Sequence, residues 1–258
     1  MPETVINSHI QMPESMLKRF ENLHHQFFYY DVSRRFIGNH GHAGTTNTRH
    51  DFYSSDVEAF LSANVEKPFA AVLKTVDEIS IEPPQGHIDS VFDFTAKRFV
   101  YALVARNPDN IDHIKEYSFL TDFLSERDSH DAGMMLGFAA ETEREFLAGY
   151  GTTIAINMTE VPFILPTCGA YYIQLQRIEH IVLPVSPEKA IVFVEEKGKD
   201  AVIHDGIVHP YRVDDVHGVQ VFNEAAFSTQ CRYGNGFIVS PSRAALEDAL
   251  CGSATQTN

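Results

Sequence analysis

Cysteine is scarce in this 258-residue chain, and so is basic charge; each shortage excludes a class of protein. The three cysteines, Cys168, Cys231 and Cys251, are odd in number and show no Cys-x-x-Cys spacing. Neither a disulfide framework nor a thiolate zinc site is encoded, and free, reduced thiols are expected. Lysine and arginine total 20 against 35 acidic residues, a formal net charge of -15. That balance repels a phosphate backbone and leaves no basic cluster for counterion release, so nucleic-acid binding by bulk electrostatics is disfavoured. Long apolar runs are missing too. No stretch approaches the roughly 18 uninterrupted apolar residues of a membrane span, and the Met1-Pro2-Glu3-Thr4 start lacks a basic segment leading into an apolar run. A cytoplasmic protein without membrane contact is expected.

Low-complexity tracts, internal repeats and linkers are also absent. With 44% hydrophobic and 21% charged residues the composition is that of an ordinary globular protein, and the length allows one domain with a substantial core. Pro13 suits the first turn of a helix. The aromatic run 26–32 reads as a strand, and 38–50, made of Gly, Asn, His and Thr without apolar period, reads as a loop. Ser55-x-x-Glu58 has capping-box spacing ahead of a helical stripe, which predicts a helix over about 56–77, kinked or split by Pro68. A second apolar helix is expected over 88–106, and one or two more over 117–150. Beyond Gly151 the pattern changes to strands: a hairpin of 152–156 with 161–165, then 181–184 and 190–194. A helix over 213–231, a strand at 236–239 and a helix at 241–250 complete the reading. The expectation is a single α+β domain over 1–258. Its N-terminal half is mostly helical (the helical part about 54–150), and its C-terminal half (about 151–250) carries a mixed or antiparallel sheet with flanking helices.

The opening Ser8-His9-Ile10-Gln11-Met12-Pro13 followed by Leu17-Lys18-Arg19-Phe20 sets a histidine, a proline four residues on, and then a leucine and a phenylalanine. This spacing resembles the family catalogued as domain of unknown function 4238. Asp51-Phe52-Tyr53, the Glu66 helix face, the helix ending at Arg106, the strand around Phe163, the Leu183-Pro184-Val185-Ser186-Pro187 segment and Asn223 follow that family's order, so the likeness runs over essentially the whole chain. It implies a bacterial or phage origin rather than a reaction. Where relatives look like Phe-Ile-Thr-Ser-Asp-Asn-Pro, this chain has Phe163-Ile164-Leu165-Pro166-Thr167-Cys168-Gly169, which puts Thr167 at the acidic position.

Several residues carry candidate chemistry, each with a plainer role beside it. His9 could serve as base or ligand, or hydrogen-bond neighbouring backbone. His40-x-His42 with His50-Asp51 could gather three imidazoles round a divalent metal, or form a solvated histidine-rich loop. His24-His25 point in different directions and are set aside. Arg106-Asn107 with His113 has the look of a ribonuclease motif, but Pro108 ends the helix there, and Arg106 can equally complement the helix dipole or clamp a carboxylate. Cys168 is a nucleophile only if His180 or His209 approaches it. Ser186 lacks the Gly-x-Ser-x-Gly elbow and reads as a turn residue. Asn223, on an apolar helix, either ties that helix to a sheet or faces a site. Together these support an intracellular binding or regulatory protein in which His9, Arg106 and Asn223 line a polar cleft for a small molecule or protein. The alternative is a hydrolase of nucleotide or phosphodiester substrates, with His9 as base, Arg106 stabilising negative charge and His40, His42 and His50 holding a metal. An acidic structural or partner-mimicking protein is a third reading. Otherwise no cofactor is expected.

Overall fold

The apolar residues of the central strands alternate between two separate cores, so helices must cover both faces of the sheets. The computed structural model describes residues 7–9, 11–46, 48–50, 52–81, 88–107, 126–139, 147–195, 203–204, 207–208 and 210–255. In chain order the described elements are β1 (Asn7–His9), α1 (Glu14–Lys18), β2 (Phe27–Asp31), β3 (Phe36–Gly41), β4 (Thr48–His50), α2 (Ser55–Leu61), a π-helical turn (Ser62–Glu66), α3 (Lys67–Glu78), α4 (Ser90–Arg106) and α5 (Glu126–Ala139). They continue with β5 (Tyr150–Asn157), β6 (Leu165–Pro166), β7 (Tyr171–Leu175), β8 (Ile178–Pro184), β9 (Lys189–Glu195), β10 (Ile203–His204), β11 (Ile207–Val208), β12 (Tyr211–Val213), α6 (Val216–Arg232), β13 (Phe237–Ser240) and α7 (Arg243–Thr255).

A five-stranded sheet has the order β12-β5-β9-β8-β7, and a four-stranded sheet the order β3-β2-β13-β6. Every pair is antiparallel except β12 with β5. Along β9, Ile191 and Phe193 enter one core while Ala190, Val192 and Val194 enter the other. The first core holds the buried faces of α1 to α5, including Leu17, Leu61, Phe69, Phe99 and Met134; the second holds Phe222 and Phe227 of α6 and Leu246 of α7. Strands buried on both faces need consecutive apolar residues, as Ile154–Ile156 of β5 and Ala190–Val194 of β9 supply.

The chain is α+β, but the expected mostly helical N-terminal half is corrected. Four strands lie in the first fifty residues, and β2 and β3 share a sheet with β13 from the far end of the chain. The 38–50 segment, read as a loop, contains the last four residues of β3 and all of β4. Glycines hid β3. Gly38 lies opposite Tyr29 and Gly41 opposite Phe27, and a Cβ there would sit 2.3 Å and 2.4 Å from those rings. Gly38 and Gly41 carry no side chain because the partner strand's aromatic rings occupy that space.

The expected hairpin of 152–156 with 161–165 is likewise absent: β5 pairs with β9 and β12, while β6 pairs with β13 in the other sheet. Asn157 turns the chain between the sheets, donating from Nδ2 to the Val161 carbonyl at 2.6 Å and accepting from the Thr159 amide at 2.9 Å. The helix expected over 56–77 is interrupted before Pro68 by the π turn that separates α2 from α3. Pro68 sits in the first turn of α3, and the wide π turn before it absorbs the missing N–H and the ring. Of the region 117–150, residues 117–125 and 140–146 lie outside the described residues. Among the described residues, no helix is long and apolar enough to cross a membrane.

Two cations fasten α3 to the sheet. Lys189, at the start of β9, donates to the carbonyls of Val76, Asp77 and Ile79 at 2.7, 3.0 and 2.8 Å, capping the carbonyl end of α3. Burial holds its ammonium below the ordinary lysine range, partly opposed by Asp77. Arg19 grips the Asp77 carboxylate with both terminal nitrogens and donates from Nε to the Val185 carbonyl. Lys189→Met would leave those helix carbonyls without their donor, and about 1–3 kcal/mol of stability should be lost. Urea unfolding measures it; an unchanged midpoint would mean that water serves the carbonyls equally well.

Candidate functional site

Arg106 ends α4 and is 2% exposed, an unusual depth for a guanidinium. Its Nη2 donates to Glu66 Oε1 at 2.8 Å. Glu66 belongs to the π turn, whose wider winding places that carboxylate on the α4 side of the helix pair. Above them opens a 340 Å³ cavity lined by Pro13, Glu14, Ser15, Lys18, Glu58, Glu66 and Arg106. The rim comes from α1, where Lys18 Nζ lies 2.9 Å from Glu14 Oε1. Pro13 starts that helix, and Leu17 and Phe20 anchor it in the first core. The spacing of the opening motif therefore fixes where the rim stands.

Two buried polar atoms of this cavity's lining residues, Arg106 Nε and Glu58 Oε1, have no hydrogen-bond partner among the described residues, and neither does the buried Tyr53 hydroxyl nearby. Burial pushes the Tyr53 phenol far up, Arg106 pulls it back, and Glu58 and Asp131 push it further. These effects place Tyr53 within the field of the same charges. A buried donor or acceptor without a partner costs about 1–3 kcal/mol, so the two on the walls of one opening call for a water or a ligand there. Glu58 was legible only as a capping residue. The cap of α2 is Ser54, which accepts from the Val57 amide at 3.4 Å. Ser55 does not serve, and Glu58 is left for the cleft. Glu58, Glu14 and Lys18 had no other signal in the sequence, because charged residues on short helices normally face water.

The other candidates lie elsewhere. Asn223 is 2% exposed on α6 and faces the second core, across the sheets from Arg106. Its Oδ1 accepts from the Ile164 amide at 3.1 Å and its Nδ2 donates to the Pro162 carbonyl at 2.9 Å, so the amide ties α6 to the segment entering β6. Residue His9 closes β1, its backbone opposite Thr48, and Asn7 lies opposite His50. The His9 and His50 side chains are outside the described part, as are His113 and His209. His40 Nδ1 lies 2.7 Å from Gln26 Oε1, and His42 Nδ1 3.0 Å from the His25 carbonyl. Among the described residues, no group of three or more His, Cys, Asp or Glu is arranged to hold a metal ion.

Cys168 is buried, and burial pushes its thiol up to about 12. A thiol so protonated is a poor nucleophile. Ser186 makes a turn: its Oγ accepts from the amides of Glu188 and Lys189 at 3.2 and 3.0 Å.

Thr167 is wholly buried. Its hydroxyl accepts from the Phe237 amide at 3.0 Å and stands 3.0 Å from Gln11 Oε1 and 3.3 Å from Gln230 Oε1. Gln230 also accepts from the Cys168 amide at 2.7 Å and donates to the Asn235 carbonyl at 2.9 Å. This node joins the segment before α1, the β6–β7 turn, α6 and β13. The Thr167 hydroxyl is therefore structural.

Searches against protein-family models, curated proteins and solved structures each returned no match.

Thr167→Val should remove about 1–3 kcal/mol for each group it orphans, and Thr167→Ser should retain most of the stability; equal denaturation midpoints for the two variants would remove the node from the account. In the native protein, iodoacetamide should label exposed Cys251 first, half-buried Cys231 more slowly, and Cys168 only on unfolding. Site-resolved mass spectrometry reads the order, and early labelling of Cys168 would contradict its burial.

Proposed function

We propose that the chain is an intracellular binding protein whose cleft, floored by Arg106, takes a small polar molecule. The observation that carries this is the pair of buried polar atoms without a partner among the described residues, Arg106 Nε and Glu58 Oε1, on the walls of one cavity. The cavity volume lies in the range of small-molecule sites. Glu14, Glu58 and Glu66 outnumber Lys18 and Arg106 along its walls, which supports a ligand bearing an amino or amide donor for the carboxylates beside an acceptor for the guanidinium. Rotation about the soft terminal torsion of Glu58 exchanges its two oxygens, bringing the buried one to the opening. Binding would then supply the missing partners and convert a destabilised cleft into a satisfied one.

The resemblance to domain of unknown function 4238 belongs to the same proposal, since its opening spacing is what seats Pro13 and the α1 rim at the cleft. Three free cysteines support a reducing, cytoplasmic location, and the charge of -15 supports a small-molecule ligand over nucleic acid. The hydrolase alternative has no specific observation behind it among the described residues.

A thermal-shift panel of free amino acids and nucleobases tests the reading. At least one compound should raise the melting temperature; saturation at about 100 times Kd corresponds to about 2.7 kcal/mol. Glu58→Gln should abolish the response while leaving the ligand-free melting temperature at or above that of the parent. Arg106→Ala is the poorer probe, because it strands Glu66 and risks unfolding. No response across the panel, or a response that Glu58→Gln leaves intact, overturns the proposal.

A further inference from the structure

On the opposite side of the sheets a 720 Å³ cavity lies between the β2–β3 turn, the end of α6 and α7. Two arginines, Arg35 and Arg232, line it, and no aspartate or glutamate does. In a chain with 35 acidic and 20 basic residues, two cations sharing a carboxylate-free hollow are out of keeping with the rest of the surface. Among the described residues neither guanidinium has an ion-pair partner, whereas the neighbouring Arg34 faces Asp31 at 3.9 Å.

Local structure accounts for only one of the two. Arg232 lies in the last turn of α6, where a cation complements the helix dipole. Arg35 has no such reason. It holds a left-handed backbone at φ 55° in the turn between β2 and β3, closed by its amide donating to the Asp31 carbonyl at 2.8 Å. That conformation is ordinarily left to glycine or asparagine and strains an arginine.

Two hydroxyls on the same wall, those of Tyr30 and Ser228, have no hydrogen-bond partner among the described residues. Ser33 and Ser253, by contrast, donate to the carbonyls of Gly234 and Leu250. Burial pushes the Tyr30 phenol up, with Arg35 opposing, so it stays protonated and able to donate. The remaining wall is apolar, built from Val32, Phe227 and Leu250.

We infer that this cavity is a binding site for a phosphomonoester of a small organic molecule, its phosphate held by Arg35 and Arg232 and its organic part against Val32, Phe227 and Leu250. Guanidiniums supply donors only and hydroxyls can turn their O–H toward an anion, so the set suits a dianionic phosphate. The apolar wall gives the organic group an affinity that inorganic phosphate lacks. The site shares no lining residue with the Arg106 cleft, so either stands without the other.

Calorimetric titration of the full chain with phenyl phosphate and with inorganic phosphate, at constant ionic strength set with chloride, tests the site. Phenyl phosphate should bind several-fold more tightly. Arg35→Ala and Arg232→Ala should each weaken it about 10-fold, the worth of one charge-assisted contact, and the double variant should lose it. Arg34→Ala, whose side chain is 78% exposed and outside the cavity, should bind as the parent does. Cys231 lines the cavity, so phenyl phosphate should also slow its labelling by iodoacetamide in the unmodified protein. Undiminished binding by the double variant, an Arg34→Ala loss equal to that of Arg35→Ala, or binding that leaves Cys231 labelling unchanged would each overturn the assignment.

Discussion

The structure depends on strands that bury both faces. Every residue of β9 from Ala190 to Val194 is buried, with alternate side chains entering different cores. Such a strand cannot expose either face to water without losing about 1.5–3 kcal/mol for each large apolar side chain. Helices on both sides follow from this, as does the three-layer arrangement with α1 to α5 on one face and α6 and α7 on the other. The arrangement also separates the chemistry. Arg106 belongs to one layer and Asn223 to the other, and the sheets stand between them. A cleft containing both is geometrically closed off, whatever their suitability as ligand-binding residues.

Polar groups hold these layers in register. Lys189 and Arg19 bind the carbonyl end and the acidic last turn of α3 to the β8–β9 turn. On α4, Lys97 bridges Asp93 at 2.8 Å and the Tyr150 carbonyl at 2.7 Å, and Thr152 donates to Asp93. The Thr167 node joins parts of the chain more than 150 residues apart. Each of these networks satisfies backbone or carboxylate groups at points where the apolar layers end. At the Arg106 cleft, Arg106 Nε and Glu58 Oε1 are buried without a partner among the described residues. Both residues line an opening, which supports the cleft as a place where something binds.

The second pocket follows from the same architecture. The β2–β3 turn and the end of α6 meet because β13, which follows α6 directly, pairs with β2. Arg35 and Arg232, nearly 200 positions apart, become neighbours of one hollow through that pairing. Neither arginine stands out in the sequence, and only their juxtaposition gives them a common role.

Much of the helical structure was legible because it is local. The stripe leading to Phe69, Val72, Leu73 and Val76 and the apolar run ending at Arg106 each declare a helix within a few turns. The β8 and β9 strands were legible for the same reason, and so was the depth of Asn223 on an apolar helix. By itself the sequence determined local helical periodicity, the placement of Pro13, the free thiols and the acidic charge, since each depends on neighbours along the chain or on composition alone. Only the tertiary structure decided that Gly38 and Gly41 form a strand beneath Phe27 and Tyr29, that β5 pairs with β9 rather than with its next neighbour, and that Glu58 and Glu66 gather at Arg106. Strand pairing and the meeting of charged side chains are contacts between distant residues, and no local pattern encodes which distant partner will fill the space.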